Sequence, residues 1–250
     1  MPENAALGQM EQLGDTLYLS VSEAHTFGSD AFLLANFAGQ GLRHKDKAVD
    51  LGTGCGIIAF LLYKNARPAE IWGVDIQPAA IRQFSDSLAY SAQQGEDFSG
   101  ILRPIEGDLK DLKGKLPFGV FDLVTCNPPY KAAGSGILSA ETAHQLARHE
   151  LACSLGDVCQ AAEKLLKTGG RLCICQRPER LADILCTMRA HKIEPKRLQA
   201  VAKDPSAEPW LILVEGKKDA KPSLRMLPTL IFNKAAAAAI TGYGPQKGTK

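Results

Sequence analysis

Apolar and polar residues follow two alternating patterns along this 250-residue chain. Short runs rich in β-branched residues predict buried strands, and apolar positions at helical spacing predict helices between them. The predicted strands span residues 48–51, 70–76, 101–105, 121–126, 171–175, 195–201 and 210–215. Helices are predicted at 141–166, where residues 167–170 end the helix, and at 182–191. This alternation predicts an α/β fold with a mostly parallel, doubly wound sheet, closed by an antiparallel pair of strands.

Three segments fall outside this alternation. Residues 15–37 predict a short hairpin-like segment and a helix, for which Asp30 is a candidate cap. Residues 131–139 are rich in glycine and predict a surface loop. Residues 233–250 combine an alanine run with glycine, proline and lysine, and predict a frayed tail.

The fourth predicted strand stops abruptly at Asn127-Pro128-Pro129-Tyr130. Each proline fixes its own φ and removes a backbone donor, so this turn presents acceptors. The Asn127 side-chain oxygen and the Pro128 carbonyl suit a planar group that carries an NH2, such as adenine, cytosine or a glutamine amide. Tyr130 adds an aromatic face on which such a group can stack. An ordinary strand-to-helix turn uses the same residue types.

A glycine-rich turn follows the first predicted strand and precedes an apolar helix. Gly52, Gly54 and Gly56 allow a tight turn and a close approach of ligand to backbone, and Asp50 and Thr53 flank them. Their spacing is Gly-x-Gly-x-Gly, which differs from the dinucleotide fingerprint. The turn also lacks the lysine of phosphate-binding loops. We therefore expect a ligand that meets this loop through an amine and a carboxylate.

The second predicted strand ends in an acidic residue, Asp75, followed by Ile76. Ligands of open α/β sheets bind outside the carboxyl ends of the strands. A carboxylate about one βα unit after a glycine loop is well placed to accept the two hydroxyl groups of a ribose. An exposed loop aspartate is the alternative for Asp75.

The composition is that of an ordinary globular protein, with 45% hydrophobic and 22% charged residues. Seven cysteines are scattered without Cys-x-x-Cys pairs, which favours reduced thiols and a cytoplasmic enzyme. The five histidines show no metal-ligand spacing. No signal peptide or membrane-spanning run is visible, so we expect no membrane and no metal partner.

The formal net charge of +2 argues only weakly for a nucleic acid partner. Local clusters of basic residues are more informative, because lysine and arginine neutralise RNA phosphates. They lie at residues 43–47, 110–115, 177–180 and 217–221. A normally solvated surface would show similar clusters.

Taken together, the order of these motifs resembles the class I S-adenosylmethionine-dependent methyltransferases of the Asn-Pro-Pro-Tyr type. More narrowly, it resembles the bacterial tRNA1(Val) adenine-N6 methyltransferase family. Residues 26–35 are similar to the family's segment before the cofactor loop, with Ser29 in place of threonine. Residues 147–150, Ala-Arg-His-Glu, are similar to the element that follows its Asn-Pro-Pro-Tyr turn. The resemblance extends over residues 17–232.

This resemblance implies a Rossmann-like fold, S-adenosyl-L-methionine as cofactor, and methylation of an anticodon-loop adenosine at position 37 of a tRNA substrate. Residues 1–37 would pack on the cofactor site, residues 38–232 would form the methyltransferase domain, and residues 233–250 would form a flexible tail. A monomer is expected. The implied catalytic residues are Asn127, Pro128 and Tyr130. The implied cofactor-binding residues are Asp30, Asp50, Gly52, Thr53, Gly54, Gly56, Asp75, Ile76, Asp108, Leu109 and Asn127.

Several alternatives remain open at this point. Glutamine N5 methylation of a peptide release factor uses the same turn, but that family carries a sizeable helical domain before the cofactor loop. Guanine-N2 enzymes often have a duplicated second domain, and DNA adenine enzymes need a target-recognition insert. A non-catalytic RNA-binding factor could also have this fold, although the intact motifs argue against it.

Overall fold

The computed structural model describes residues 9–22, 26–128, 153–233 and residue 236. Three predicted features lie outside these residues. They are the aromatic residue Tyr130, the loop at 131–139 and the Ala-Arg-His-Glu element at 147–150. The tail beyond residue 233 also lies outside them, apart from Ala236.

The strands predicted from the short apolar runs are all present in the structure. The described strands are β1 (Gln9–Gln12), β2 (Tyr18–Val21), β3 (Lys47–Leu51), β4 (Glu70–Asp75), β5 (Leu102–Glu106), β6 (Phe121–Cys126), β7 (Leu166–Gln176), β8 (Ile193–Ala202), β9 (Leu211–Lys218), β10 (Arg225–Met226) and β11 (Leu230–Ile231). The described helices are α1 (Ser29–Gly39), α2 (Ile57–Ala66), α3 (Pro78–Gln93), α4 (Leu155–Leu165) and α5 (Leu181–Ala190), with a short 3-10 turn at Pro178–Arg180.

One sheet organises the molecule. Its strand order is β10-β8-β9-β7-β6-β3-β4-β5, with β11 also paired to β8. Strands β5, β4, β3, β6 and β7 run parallel to one another. Strand β9 is antiparallel to both β7 and β8. These pairings confirm the predicted parallel sheet and the closing antiparallel pair, and β9 is inserted between β7 and β8.

Helices cover both faces of the sheet. The apolar side chains of α1 and α2, with Phe84 of α3, pack in one core cluster together with residues of the hairpin. Those of α4 and α5 pack in a second cluster on the opposite face. The sheet is therefore doubly wound, as its alternating pattern predicts.

The end of α4 differs from its prediction. We predicted that residues 167–170 would end a helix and precede a strand at 171–175, but β7 begins directly at Leu166. The register between β6 and β7 shifts between Phe121 and Leu123, which pair with Leu166 and Arg171. An irregularity of this kind lets a strand absorb extra residues without leaving the sheet, so the glycines at 169 and 170 lie inside the strand.

The first two strands form an antiparallel hairpin that rests on α3. The backbone N–H groups of Tyr18 and Ser20 donate to the hydroxyls of Ser91 and Ser87, at 2.9 and 2.8 Å. Gln83 in turn donates to the Ser20 carbonyl at 2.5 Å. Side chains of the helix thus satisfy the free edge of β2, which fixes the hairpin against the domain.

Two arginines attach the end of α1 to the sheet. Arg171 donates to Glu215 at 2.7 Å and to the Ala38 carbonyl at 3.3 Å. Arg197 donates to both oxygens of Glu215, at 3.0 and 2.7 Å, and to the Phe37 carbonyl at 3.1 Å. These cations lie where the last carbonyls of a helix lack partners. We call Arg171, Arg197 and Glu215 the arginine clamp.

Candidate active site

The predicted site residues line one edge of the sheet. The strands β6, β3, β4 and β5 are neighbours in that order and run parallel, so their carboxyl ends meet at the same edge. Along it follow Asn127, the glycine loop at 52–56, Asp75 and Asp108. Three strand spacings separate the two ends, a span on the order of 14 Å. The structure therefore brings these residues together in a single row.

The glycine loop is held by its neighbour strand. The N–H groups of Thr53 and Gly54 donate to the Val74 carbonyl and to the Asp75 carboxylate, both at 2.9 Å. Gly52 and Gly54 have φ values of 67° and 55°, and a Cβ added at either would meet no atom within 4 Å. The loop thus leaves open space above its backbone, as a ligand that lies on the loop requires.

Gly56 begins α2 and is constrained in two ways. Its φ is 89°, in the left-handed region, and a Cβ added there would lie 2.8 Å from the ring of Phe84. We therefore expect Gly56→Ala to lower the free energy of unfolding by about 2–4 kcal/mol, from backbone strain and overpacking together. Urea unfolding measures this change.

Gly95 provides the matched control for that substitution. Its φ is 94°, and a Cβ added there would meet nothing within 4 Å. Gly95→Ala should therefore lower the free energy of unfolding by backbone strain alone, about 1 kcal/mol. Equal losses in the two variants would show that the contact with Phe84 contributes nothing.

Asp50 lies beneath the loop and is 1% exposed. Its two carboxylate oxygens accept hydrogen bonds from the hydroxyls of Thr53 and Thr125, both at 2.7 Å. Burial raises the pKa of Asp50 to about 7, because desolvation outweighs the two hydroxyl donors, and the nearby Asp75 adds to the rise. Asp50 therefore braces the base of the loop and is enclosed by it.

A raised pKa makes the stability of the fold depend on pH. The folded state holds the Asp50 proton up to about pH 7, whereas the unfolded chain releases it near 3.8. The contribution of Asp50 to stability therefore falls as pH rises from about 4 to 7. We expect the melting temperature of Asp50→Asn, relative to wild type, to increase between pH 5 and pH 7 and to level off at higher pH. A constant difference in melting temperature between the two proteins across that pH range would contradict the raised pKa of Asp50.

Asp75 is 7% exposed, and both of its carboxylate oxygens are engaged. One accepts the Gly54 N–H and the other accepts the Gln77 N–H, each at 2.9 Å. A carboxylate oxygen can accept more than one hydrogen bond, so these contacts orient the group toward the edge without exhausting it. The next residue, Ile76, is 50% exposed, which leaves an apolar surface beside that carboxylate.

Asp108 follows β5 at the far end of the row. Its Oδ1 accepts the Lys110 N–H at 2.9 Å, and its Oδ2 lies 3.7 Å from the Lys110 ammonium. This is the local turn geometry typical of aspartate. Leu109, the other candidate, is partly buried and packs against the α4 side of the core.

Asn127 lies directly after β6 and is contacted from two sides. Its Nδ2 donates to Asp30 Oδ2, and its Oδ1 accepts from Cys175 Sγ, both at 3.0 Å. Pro128 follows and is half-buried.

The predicted cap role of Asp30 is wrong, because the N-cap of α1 is Gly28 and Asp30 lies inside the first turn. Nothing in the local sequence of Cys175 indicates its contact with Asn127, which arises because β7 pairs with β6 in the sheet.

The thiol in the glycine loop is not suited to nucleophilic chemistry. Cys55 is 2% exposed, and burial raises its pKa to about 12, so the thiol stays protonated at neutral pH. Among the described residues, no group of three histidine, cysteine or acidic side chains could hold a metal ion. No helix in the described part of the chain combines the length and apolar character that a membrane span requires.

The basic clusters differ in how their charges are used. Lys218 donates to the carbonyls of Glu163 and Leu166, at 2.5 and 2.8 Å, and Arg180 pairs with Asp183 at 2.8 Å. By contrast, Lys110 and Lys113 line a cleft of about 230 Å³ between α4 and the segment after β5. Lys164 and Phe118, a ring 43% exposed, line the same cleft. Asp111 also lines this cleft, so three lysines and one carboxylate lie beside an exposed aromatic ring there.

The fold and the matched family model define a class of enzyme. A family model described as a methyltransferase domain matches residues 42–221. A predicted O-methyltransferase from Agrobacterium tumefaciens superposes with a TM-score of 0.61 at 18% identity, covering 86% of this chain and 99% of that one. Geranyl diphosphate C-methyltransferase from Streptomyces coelicolor superposes with a TM-score of 0.54 at 13% identity, covering 76% and 80%. These likenesses confirm the Rossmann-like methyltransferase fold.

Curated relatives narrow this class. The tRNA1(Val) (adenine(37)-N6)-methyltransferase of Porphyromonas gingivalis is 30% identical over 192 residues, covering 75% of this chain and 72% of the relative. The protein of the same name from Parabacteroides distasonis is 27% identical over 188 residues, covering 75% of each. The chain belongs to the methyltransferase family and, within it, to the family of tRNA1(Val) (adenine(37)-N6)-methyltransferases.

Proposed function

We propose that the chain transfers a methyl group from S-adenosyl-L-methionine to N6 of an adenine in tRNA, the anticodon-loop adenosine at position 37. The observation that carries this proposal is the position of Asn127. Its amide lies at the carboxyl edge of the sheet, one strand away from the glycine loop. An acceptor for an exocyclic amine is therefore adjacent to the expected site of the methyl donor.

The residues present fit the cofactor. The open space above Gly52 and Gly54, and the start of α2 beyond them, suit its amino acid part, since a helix start favours a carboxylate. Asp75 would accept the ribose hydroxyls, and the exposed Ile76 would cover an adenine face. Asp108 and Leu109 would border that adenine, and Asp50 and Thr53 would support the loop from below. The Asp30 carboxylate contacts the Asn127 amide, which favours a role at the acceptor over the cofactor role expected from the resemblance.

The protein's part in the reaction is positioning and electrostatic stabilisation. When bound, S-adenosylmethionine supplies a methyl group that its sulfonium activates for displacement. Asn127 Oδ1 and the Pro128 carbonyl would accept the two N–H groups of adenine N6, which turns the nitrogen lone pair toward the methyl carbon. The same acceptors would stabilise the positive charge that grows on N6 as the N–C bond forms and the S–C bond breaks. The alkylated nitrogen is acidic and releases its proton to water.

Recognition of the base and the RNA involves further residues. Tyr130, two residues after Pro128, would stack on an adenine turned out of its stack, which an anticodon loop permits at modest cost. The cleft with Lys110, Lys113 and Lys164 supports contact with RNA phosphates. We expect the chain to act as a monomer in the cytoplasm.

The experiment is methyl transfer from labelled S-adenosylmethionine to unmodified total tRNA, with release factor and ribosomal RNA in parallel. Nucleoside mass spectrometry then identifies the labelled base. N6-methyladenosine in tRNA alone is the expected result. Label in release factor alone would mean that the same acceptors bind a glutamine amide and that the substrate is a protein, not tRNA. Absence of label despite cofactor binding would contradict the proposal.

A further inference from the structure

Asn127 is the central residue of a chain of three side chains that join three elements. Asp30 comes from the first turn of α1, Asn127 follows β6, and Cys175 lies in β7. The two contacts, Asn127 Nδ2 to Asp30 Oδ2 and Cys175 Sγ to Asn127 Oδ1, are both 3.0 Å long. Neither outer residue belongs to the Asn-Pro-Pro-Tyr turn.

The chemistry of the two outer residues fixes which way the amide points. An ionised carboxylate only accepts hydrogen bonds, so the Asn127 NH2 must face Asp30. A thiol is a weak donor as well as a weak acceptor, so Cys175 can donate to the carbonyl end that the contact with Asp30 turns toward it. The contact with Asp30 selects this orientation over the flipped one, and the contact with Cys175 is compatible with it.

Both outer residues are held by rigid surroundings. Cys175 is fully buried in β7, and Ile174 just before it pairs with Cys126 just before Asn127. Helix α1, which carries Asp30, is fixed at its other end by the arginine clamp. The orientation of Asn127 therefore depends on the packing of the domain as well as on the turn.

We propose that Asp30 and Cys175 are positioning residues that hold the Asn127 amide with its oxygen in the acceptor orientation. This inference rests on the proposed function, in which that oxygen accepts the adenine N6 amine. A flipped amide would present its NH2 to the amine, so that donor would face donor. The Asp30 charge also polarises the amide and strengthens its oxygen as an acceptor. Cofactor affinity does not depend on this orientation.

Substitutions of the two residues test the proposal by turnover. Asp30→Ala and Cys175→Ala should each lower kcat roughly tenfold or more, because misorientation of a catalytic group is costly. The dissociation constant of S-adenosylmethionine, from calorimetry, should change less than about twofold. Cys175→Ser keeps a donor and should restore most of the turnover. Cys159→Ala removes an equally buried thiol on the opposite face of the sheet and should leave turnover unchanged.

Gly28→Ala moves Asp30 without removing its charge. The φ of Gly28 is −104°, which alanine adopts freely, but the new Cβ would lie 2.6 Å from Asp30 Oδ1. The aspartate must rotate away, so this variant should reproduce the turnover loss of Asp30→Ala. Wild-type turnover in Gly28→Ala and Asp30→Ala would overturn the proposal.

The double variants separate positioning from other roles. A residue that acts through Asn127 has no further effect once that amide is gone. Asp30→Ala should therefore cause no further loss of kcat when Asn127→Ala is already present. An additive loss, or weaker cofactor binding in Asp30→Ala, would instead assign Asp30 to the cofactor site and overturn the positioning role.

A readout that needs no activity separates this proposal from the proposed function. The Asn127 side-chain NH2 signal in a ¹H–¹⁵N spectrum is identified by its loss in Asn127→Ala. It should shift in Asp30→Ala and Cys175→Ala and stay in place in Cys159→Ala. If the signal shifts but wild type methylates no tRNA, Asp30 and Cys175 still position Asn127, and the proposed tRNA substrate is wrong. Unshifted signals would reject the positioning role whatever the substrate.

Discussion

Asn127→Ala is expected to lower turnover on the order of 10²-fold or more while leaving cofactor affinity nearly unchanged. In the proposed mechanism, the asparagine supplies a preorganised oxygen at the point where positive charge grows on the attacking nitrogen, and losing such a group typically costs this much. Its side chain lies at the edge of the sheet, held by Asp30 and Cys175 at 3.0 Å each. The loss should appear in kcat because the interaction strengthens in the transition state.

Single-turnover methylation of tRNA, with calorimetry of S-adenosylmethionine binding, measures both quantities. Asn65→Ala, an exposed asparagine near the end of α2, is the matched control and should be indistinguishable from wild type. Wild-type turnover in Asn127→Ala would remove Asn127 from the mechanism. A large loss of cofactor affinity would move its role from the acceptor to the methyl donor.

Glu215→Ala is expected to lower the free energy of unfolding by about 3–5 kcal/mol, the usual cost of removing one partner from a buried ion pair. Glu215 is 6% exposed and accepts from Arg171 and Arg197. Without it, two partly buried guanidinium groups face each other with no counter-charge. The corresponding fall in melting temperature is about 10 °C for a domain of this size.

Calorimetric or optical melting measures this change, and a surface pair provides the control. Glu163 contacts Lys192 at 3.0 Å while remaining 25% exposed, so Glu163→Ala should cost about 1 kcal/mol or less. A comparable loss in the two variants would show that burial adds nothing to the arginine clamp.

The same carboxylate gives the clamp a pH dependence. Burial raises the pKa of Glu215, but the hydrogen bonds and charges of Arg197 and Arg171 outweigh it and leave the pKa below the ordinary 4.5. Its stabilising contribution is therefore present above about pH 4.5 and is lost as pH falls through the lower folded value. This direction is opposite to that of Asp50, whose contribution declines as pH rises.

The clamp also bears on the site. It fixes the last turn of α1 through the carbonyls of Phe37 and Ala38, and the first turn of the same helix carries Asp30. A loss of the clamp should loosen α1 before the domain unfolds. We therefore expect Glu215→Ala to lower turnover below its melting temperature as well as stability.

The local pattern of apolar and polar residues was sufficient to predict the strands and turns around the site. The apolar runs identified β3, β4 and β6, because a buried strand needs such residues on both faces. The glycine spacing and the Asn-Pro-Pro turn were readable because each requires particular residue types at particular positions. The start of β7 at Leu166 could not be predicted from the sequence. Two glycines lie within this strand, and the strand forms there because it pairs with β6.

The sequence by itself therefore determined the alternating α/β fold, the family, and the motif residues Asn127, Asp75 and the glycine loop. Only the tertiary structure placed Asp30 and Cys175 on either side of the Asn127 amide. They lie 97 and 48 residues from it along the chain. No local pattern encodes such contacts, because they arise from the order of strands in the sheet and from the packing of α1 across it. In the proposed mechanism, the residues that contact the reacting groups are visible in the sequence, whereas the residues that orient them are set by the fold.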